Sequence, residues 1–370
     1  MKIIAFYLPQ YHAIPENDEW WGKGFTEWTN VKKAKPVIKG QVQPKVPLNE
    51  NYYNLLDDDV KLWQVRLAKK YGVYGFCYYH YWFNGKLLLE KPAEQMLVNR
   101  EIDLPFCFSW ANEPWSRSWK GESKNVIMQQ EYGTEADWRK HFEYLLPFFR
   151  DDRYIKENGK PMFIIYKPDI IPSCYEMMEY WNALAVENGF PGLYFGFQFP
   201  SGFRNKDNES KFDFAIEFEP LYTRTASQDF LNISTVKGKL SLLKKHPGTF
   251  LKISVDKVRN KYFNRPIVYD YSAECEKLTS RSPVFKNSVP GMYTGWDKTP
   301  RNGSKAMIYK GSTPEKFGKY LEKQVKRARN IYKTEYLFIT AWNEWGEGAY
   351  LEPDIVFEYK MLEMISKSIE

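Results

Sequence analysis

The chain has 370 residues, of which 43% are hydrophobic and 18% aromatic, enough apolar material for one large core. Its 53 basic and 46 acidic residues leave a net charge of +7 with no dense Lys/Arg arm, which argues against a nucleic-acid partner. No run approaches the roughly eighteen apolar residues of a membrane-spanning helix, while the mild positive charge is compatible with peripheral association with a membrane-linked glycan. Lys2 to Tyr7 reads as strand one, and the absence of a signal-peptide apolar region after it predicts a cytoplasmic protein. A long loop rich in Trp, Pro and Asn follows to about Leu56. Asp57-Asp58-Asp59 then caps a helix reaching about Tyr71, with acidic residues where the helix dipole favours them. Val73 to Tyr79 is strand two, Leu87 to Val98 is helical, and Pro105 to Trp110 is strand three. A helix over Glu135 to Phe149, strand four at Met162 to Tyr166 and a helix over Glu176 to Glu187 come next. Strand five is Leu193 to Gln198 and strand six Phe212 to Phe218. Residues 219 to 283 carry a weak pattern and read as an irregular insertion holding at least one helix. Strand seven falls within Val284 to Met292, a basic amphipathic helix spans Thr313 to Ile331, strand eight is Tyr336 to Thr340, and Ile355 to Ile369 is the closing helix. Eight strands alternating with helices predict an α/β fold, a single (β/α)8 TIM barrel over residues 1–370 with long βα loops.

The active site of such a barrel lies at the C-terminal ends of its strands, and the unusual polar-aromatic segments fall there. After strand eight comes Trp342-Asn343-Glu344-Trp345-Gly346-Glu347-Gly348. Two carboxylates three residues apart on a tight turn can face one cleft, and glycosidic-bond chemistry uses paired carboxylates. Trp342 and Trp345 offer faces for a sugar ring. After strand three comes Trp110-Ala111-Asn112-Glu113-Pro114-Trp115-Ser116-Arg117, where Glu113 reads as a substrate contact, or else as a loop acid paired with Arg117. Tyr78 to Lys86, containing His80 and Trp82, reads as a sugar-contacting loop. In Gly295-Trp296-Asp297-Lys298-Thr299-Pro300-Arg301, Asp297 and Arg301 suit hydroxyls or an anionic group. The early loop adds Glu27 among three Trp. With only four His and no metal-ligand spacing, no metal is expected. Neither a Gly-rich dinucleotide loop nor a P-loop is present, and Asp57 with Asp59 reads as a helix cap rather than as a sugar-nucleotide DxD. Cys77, Cys107, Cys174 and Cys275 form no CxxC pair, which suits a reducing compartment.

At these residues the chain resembles the WbsX-like proteins of bacterial polysaccharide-biosynthesis loci, which are similar to glycoside hydrolase family 99, the endo-α-mannosidases. The matching segments are Ala5-Phe6-Tyr7-Leu8-Pro9-Gln10-Tyr11-His12, Gly24-Phe25-Thr26-Glu27-Trp28, Tyr79-His80-Tyr81-Trp82-Phe83, Trp110-Ala111-Asn112-Glu113, Pro290-Gly291, Gly295 to Arg301, and Trp342 to Gly348 with Leu351-Glu352-Pro353. The resemblance implies a cofactor-free barrel that retains anomeric configuration, with Glu344 as base at the sugar 2-hydroxyl and Glu347 as general acid and then base. It implies substrate contacts from Tyr7, His12, Glu27, His80, Trp82, Trp110, Asn112, Glu113, Trp115, Trp296, Asp297, Arg301, Asn343 and Trp345. Gly346 departs from the family 99 pattern, which has a His there. In that scheme Glu347 is expected to have a raised pKa and Glu344 to stay ionised. The expected function is a retaining, glycosidase-like enzyme acting on a bacterial surface polysaccharide or related α-glycan. The alternatives are a glycosyltransferase of O-antigen or capsule synthesis and a non-catalytic glycan-binding barrel.

Overall fold

Nine parallel strands form a nearly closed ring, and two of them are halves of one segment. The computed structural model describes residues 1–116, 126–199, 210–225, 240, 243–244, 247–283 and 285–369. The ring strands are β1 Lys2–Tyr7, β2 Gly75–Phe83, β3 Phe106–Trp110, β4 Lys160–Ile165, β5 Tyr194–Phe199, β6 Phe214–Glu217, β7 Ser288–Val289, β8 Gly291–Tyr293 and β9 Tyr336–Thr340. Their spatial order is β7-β6-β5-β4-β3-β2-β1-β9-β8. β7 and β8 flank Pro290, so one extended segment pairs first with β6 (Val289 opposite Ile216) and then with β9 (Gly291 opposite Phe338). This closes the (β/α)8 barrel, its seventh strand split at a residue with no N–H for the ladder. The Phe338 N–H donates to the Pro290 carbonyl at 3.1 Å. Gly291 is needed at this seam, because a Cβ there would lie 2.0 Å from the Glu217 carbonyl oxygen.

Parallel strands covered by helices must be apolar on both faces. Ile3, Ile4, Ala5, Phe6 and Tyr7 of β1 are accordingly all fully buried, and every residue of β9 is buried. Inside the barrel the Phe6 ring meets Tyr79, Phe218 and Phe338 at centroid distances of 5.6, 5.2 and 5.5 Å. Each such buried ring stabilises the fold by about 1.5–3 kcal/mol.

The outer helices are α1 Asp58–Tyr71, α2 Lys91–Val98, α3 Glu135–Arg150, α4 Cys174–Glu187, α5 Pro247–Phe263, α6 Tyr271–Ser280, α7 Pro314–Arg327 and α8 Lys360–Ile369. Asp57 caps α1, its carboxylate accepting from the Asp59 N–H at 3.0 Å, as the sequence suggests. Thr134 and Asp137 form a capping box at the start of α3.

Two readings change. Tyr81-Trp82-Phe83 is strand, not loop: it pairs antiparallel with Lys86–Leu88 around Asn84-Gly85, which shortens the following helix to Lys91–Val98. The insertion holds more order than its pattern suggests. Beyond α5 and α6 it contributes strand Ile267–Asp270, which pairs with Met307–Lys310, which in turn pairs with Trp296–Asp297. This small sheet fixes the segment that carries Lys298 and Arg301. Arg117 and Val284 lie outside the described residues.

Candidate active site

The ends of β1, β2, β3, β4 and β9 open onto a cleft of about 330 Å³. Its lining includes Asn17, Tyr79, Tyr81, Glu113, Trp115, Tyr166, Trp296, Lys298, Arg301, Glu344 and Glu347. Arg301 is the hub. Its Nη2 donates to Glu27 Oε1 at 2.8 Å and to Glu344 Oε1 at 2.6 Å, and its Nη1 donates to Glu347 Oε1 at 2.5 Å. Lys298 Nζ reaches Glu347 Oε1 at 2.9 Å. Three carboxylates therefore share two cations in a largely buried cluster at the wall of the cleft.

That imbalance decides where a proton sits. Burial pushes the Glu344 carboxyl up; Arg301 opposes this, Glu347 and Glu27 add to it, and the result is about 8. Burial acts on Glu347 too, but Lys298 and Arg301 outweigh it and hold this carboxyl below its ordinary value. The two shifts run opposite to the expected ones: the Glu344 carboxyl is the one raised and the Glu347 carboxyl the one lowered. The reason is that Lys298 pairs directly with Glu347, whereas on Glu344 it acts only from a distance and as the smallest of the effects. Burial by itself would weaken the charge on Arg301, yet Glu27, Glu344 and Glu347 hold its pKa above the ordinary value.

The turn that presents the two acids is built from the strand end. Asn343 bonds both backbone groups of Leu8, accepting from its N–H at 2.8 Å and donating to its carbonyl at 3.0 Å. Gly346 gives Glu27 its place, since a Cβ there would stand 2.0 Å from Glu27 Oε2 and 3.0 Å from Arg301 Nε. Trp345 is fully buried, stacked on Tyr350 at 3.7 Å, with its Nε1 donating to Glu352 at 2.7 Å. Glu352 also accepts from Gln64 at 2.7 Å and Tyr53 at 2.8 Å, and burial pushes its carboxyl up to about 7.

Of the sixteen residues singled out from the sequence, Glu27, Glu113, Trp115, Trp296, Arg301, Glu344 and Glu347 meet in or directly behind this cleft. Asn112 stands beside it and ties down Lys167, donating to its carbonyl at 2.7 Å and accepting from its N–H at 2.8 Å. The remaining expectations of direct contact are corrected to support. The Tyr7 hydroxyl donates to Gln64 at 2.7 Å in the core. His80 shares a 2.8 Å contact with His141, whose ring stacks on Trp82 at 4.4 Å, and Trp110 Nε1 donates to the Trp82 carbonyl at 3.1 Å. Burial pulls the pKa of His12 down to about 4. Asp297 accepts from Gln41 at 2.8 Å and Gln43 at 2.9 Å, which anchors the early loop to the back of the Trp296 wall. Asn343 and Trp345 act through the turn. Sequence reasoning placed Lys298, Tyr79 and Tyr81 in candidate segments without singling them out, and missed Tyr166 and Asn17. Tyr79 and Tyr81 alternate along β2 toward the lumen, a period-two signal that was available. Asn17 had none: it sits in the short helix Pro15–Trp21, fully buried, and both polar atoms of its amide lack a hydrogen-bond partner among the described residues.

The fold has known relatives. The chain superposes on the family 99 endo-α-mannosidase of Bacteroides thetaiotaomicron with a TM-score of 0.55 at 16% identity, covering 99% of this chain and 96% of that one. A glycoside hydrolase-like protein gives 0.56 at 12% identity, covering 100% and 94%. The chain belongs to the family described as Glycosyltransferase WbsX, whose model matches residues 3–365. Uncharacterized proteins WxcX from two strains of Xanthomonas campestris pv. campestris are 34% identical to it over 370 residues. The match covers 99% of this chain and 49% of each relative, so the chain spans about half their length.

Proposed function

We propose that this barrel is a carbohydrate-active enzyme that acts at a glycosidic bond, with Glu344 and Glu347 sharing one catalytic proton. The observation that carries this reading is the Arg301 cluster: two acids on one turn, in one cleft, both bonded to one guanidinium, with carboxyl pKa values pushed in opposite directions. Pairs of titratable groups pushed apart by their surroundings are what acid/base catalysis at neutral pH requires. For Glu344 to accept a proton from a sugar hydroxyl, its own proton must first pass to Glu347. Lys298 opposes that transfer by holding Glu347 ionised, so substrate entry has to draw Lys298 Nζ away. Trp115 and Trp296 supply apolar faces for sugar rings, and the amide of Asn17 offers one donor and one acceptor to a pair of hydroxyls. The substrate class we favour is a bacterial surface polysaccharide or related α-glycan, handled by the whole of residues 1–370 as one barrel.

The second reading, transfer from an activated sugar donor, is favoured by the description of the family. One screen separates the two. Purified protein is offered aryl α-glycosides and bacterial surface polysaccharides, with and without sugar nucleotides, and products are followed by mass spectrometry. Release of reducing ends without a nucleotide supports the proposal. Turnover only with a nucleotide donor replaces it by transfer, and saturable glycan binding with no turnover makes the barrel a binding module.

A further inference from the structure

One surface of the molecule contradicts the usual sorting of side chains. On α5, Leu251 is 64% exposed, Val255 42%, Val258 48% and Tyr262 67%, and Phe263 at the helix end is 67% exposed. At about 100° per residue, Leu251, Val255, Val258 and Tyr262 fall within about 60° of one another on the helix wheel. Asp256 and Asn260, half-buried, lie on the opposite side, toward the body. Exposed Arg259 and Lys261 fall about 80° to either side of the apolar stripe, with exposed Lys257 and Arg265 nearby. Leu240 and Leu243, shortly before the helix, are 52% and 44% exposed as well. A single exposed Leu needs no explanation, but a continuous outward stripe edged by cations does.

The helix is anchored to the part of the chain that builds the cleft. Asn260 donates to the Lys305 carbonyl at 3.0 Å, and the Ile267 N–H to the Ala306 carbonyl at 2.9 Å. Residues 305 and 306 follow directly on the short helix Thr299–Asn302 that carries Arg301. With 17 residues and charges along its flanks α5 is not a span, and among the described residues no helix is long and apolar enough to cross a membrane.

We propose that α5 docks the protein on an anionic lipid surface, its apolar stripe entering the headgroup boundary and Lys257, Arg259, Lys261 and Arg265 meeting lipid phosphates. Apolar face and flanking cations are the two components of interfacial helix binding, and the cations select negative over neutral lipid. Docked this way, the segment bearing Arg301 stands beside the membrane, where a lipid-attached glycan would be within reach of the cleft. The inference does not depend on the reaction catalysed.

The test is flotation of the full chain with vesicles of phosphatidylcholine alone and of phosphatidylcholine with about one third phosphatidylglycerol, at low and high salt. Binding to the anionic vesicles that salt removes is the expected result. Val258→Ser with Tyr262→Ser, and separately Arg259→Ser with Lys261→Ser, should each weaken it on the order of tenfold, with unchanged melting temperature because these side chains are exposed. Absence of binding to anionic vesicles, or binding that neither double variant changes, overturns the proposal. Light scattering addresses the other occupant: a dimer that becomes monomeric in the Val258→Ser, Tyr262→Ser variant, with no lipid binding in either protein, would assign the stripe to a second copy of the chain.

Discussion

Two strand ends in this barrel are written almost alike, Trp110-Ala111-Asn112-Glu113 after β3 and Trp342-Asn343-Glu344 after β9. In both, the Trp is buried and the Asn amide clasps the N–H and carbonyl of one residue past the neighbouring strand, Lys167 in one case and Leu8 in the other. In both, the Glu is left pointing into the cleft. They part in what surrounds that Glu. The Glu113 side chain is 40% exposed and has Lys167 as its ion-pair partner, whereas the Glu344 side chain is 10% exposed and shares Arg301 with Glu27 and Glu347. The same short pattern thus positions two carboxylates equally well, and burial with unequal charge pairing turns only one of them into an acid/base candidate.

The largest expected difference is kinetic. Glu344→Gln should lower kcat on the order of 10²-fold or more on every substrate. Glu113→Gln should cost about tenfold, mostly through KM, as expected for a lost substrate hydrogen bond. Equal losses in kcat would erase the distinction between the two strand ends. Glu347→Gln should impair glycans with poor leaving groups and spare activated aryl glycosides; uniform impairment would remove it as the proton donor.

The aromatic partners should separate next. Trp345→Ala removes a fully buried ring and is expected to destabilise the protein by about 3–5 kcal/mol. Trp115→Ala, on the cleft wall, should cost less than about 1 kcal/mol while weakening glycan binding. Denaturant unfolding alongside glycan titration reads both, and a stable Trp345→Ala protein that has lost glycan binding would return Trp345 to the cleft.

Smaller effects are expected at the two clasps. Asn343→Ala leaves the Leu8 backbone groups buried without partners and should cost about 2–4 kcal/mol. Asn112→Ala should cost about 1 kcal/mol, because water reaches the half-buried Lys167 backbone. Similar values for both would show that solvent access does not matter there.

The pH dependence is the finest test. The Glu344 carboxyl is raised from 4.5 to about 8 in the folded protein. The folded state therefore binds more protons than the unfolded chain between those values, and this group's contribution to stability falls as pH rises through that window. Glu352, raised to about 7, acts in the same direction in every variant that retains it. Melting temperatures from pH 5 to 8 should fall less steeply for Glu344→Gln than for the parent. Parallel curves would mean that Glu344 is ionised throughout.

Much of this architecture was legible because the barrel strands are long apolar runs with no competing pattern. The split at Pro290 was not, since five residues of strand signal give no hint that the two halves face different neighbours. The paired acids could be read from Glu344 and Glu347 themselves. Their protonation could not, because it depends on Lys298 and Glu27, which belong to distant loops. The tryptophans misled most: Trp110 and Trp345 sit near Asn and Glu in the sequence and Trp82 in an aromatic run, yet all three are buried. Adjacency in sequence cannot tell which side of a strand end a ring takes when strand two continues into a hairpin, as it does through Phe83.

The absent side chain at Gly346 also limits how this barrel can change. Glu27 Oε2 lies where a Cβ at 346 would begin, so a larger residue there requires the Glu27 carboxylate to swing away from its place beside Arg301. A side chain at 346 is therefore expected to be accompanied by a change at position 27, whereas Gly346 can stay when Glu27 changes. A set of relatives in which a bulky residue at 346 accompanies an unchanged Glu27 would show that the pair evolved independently.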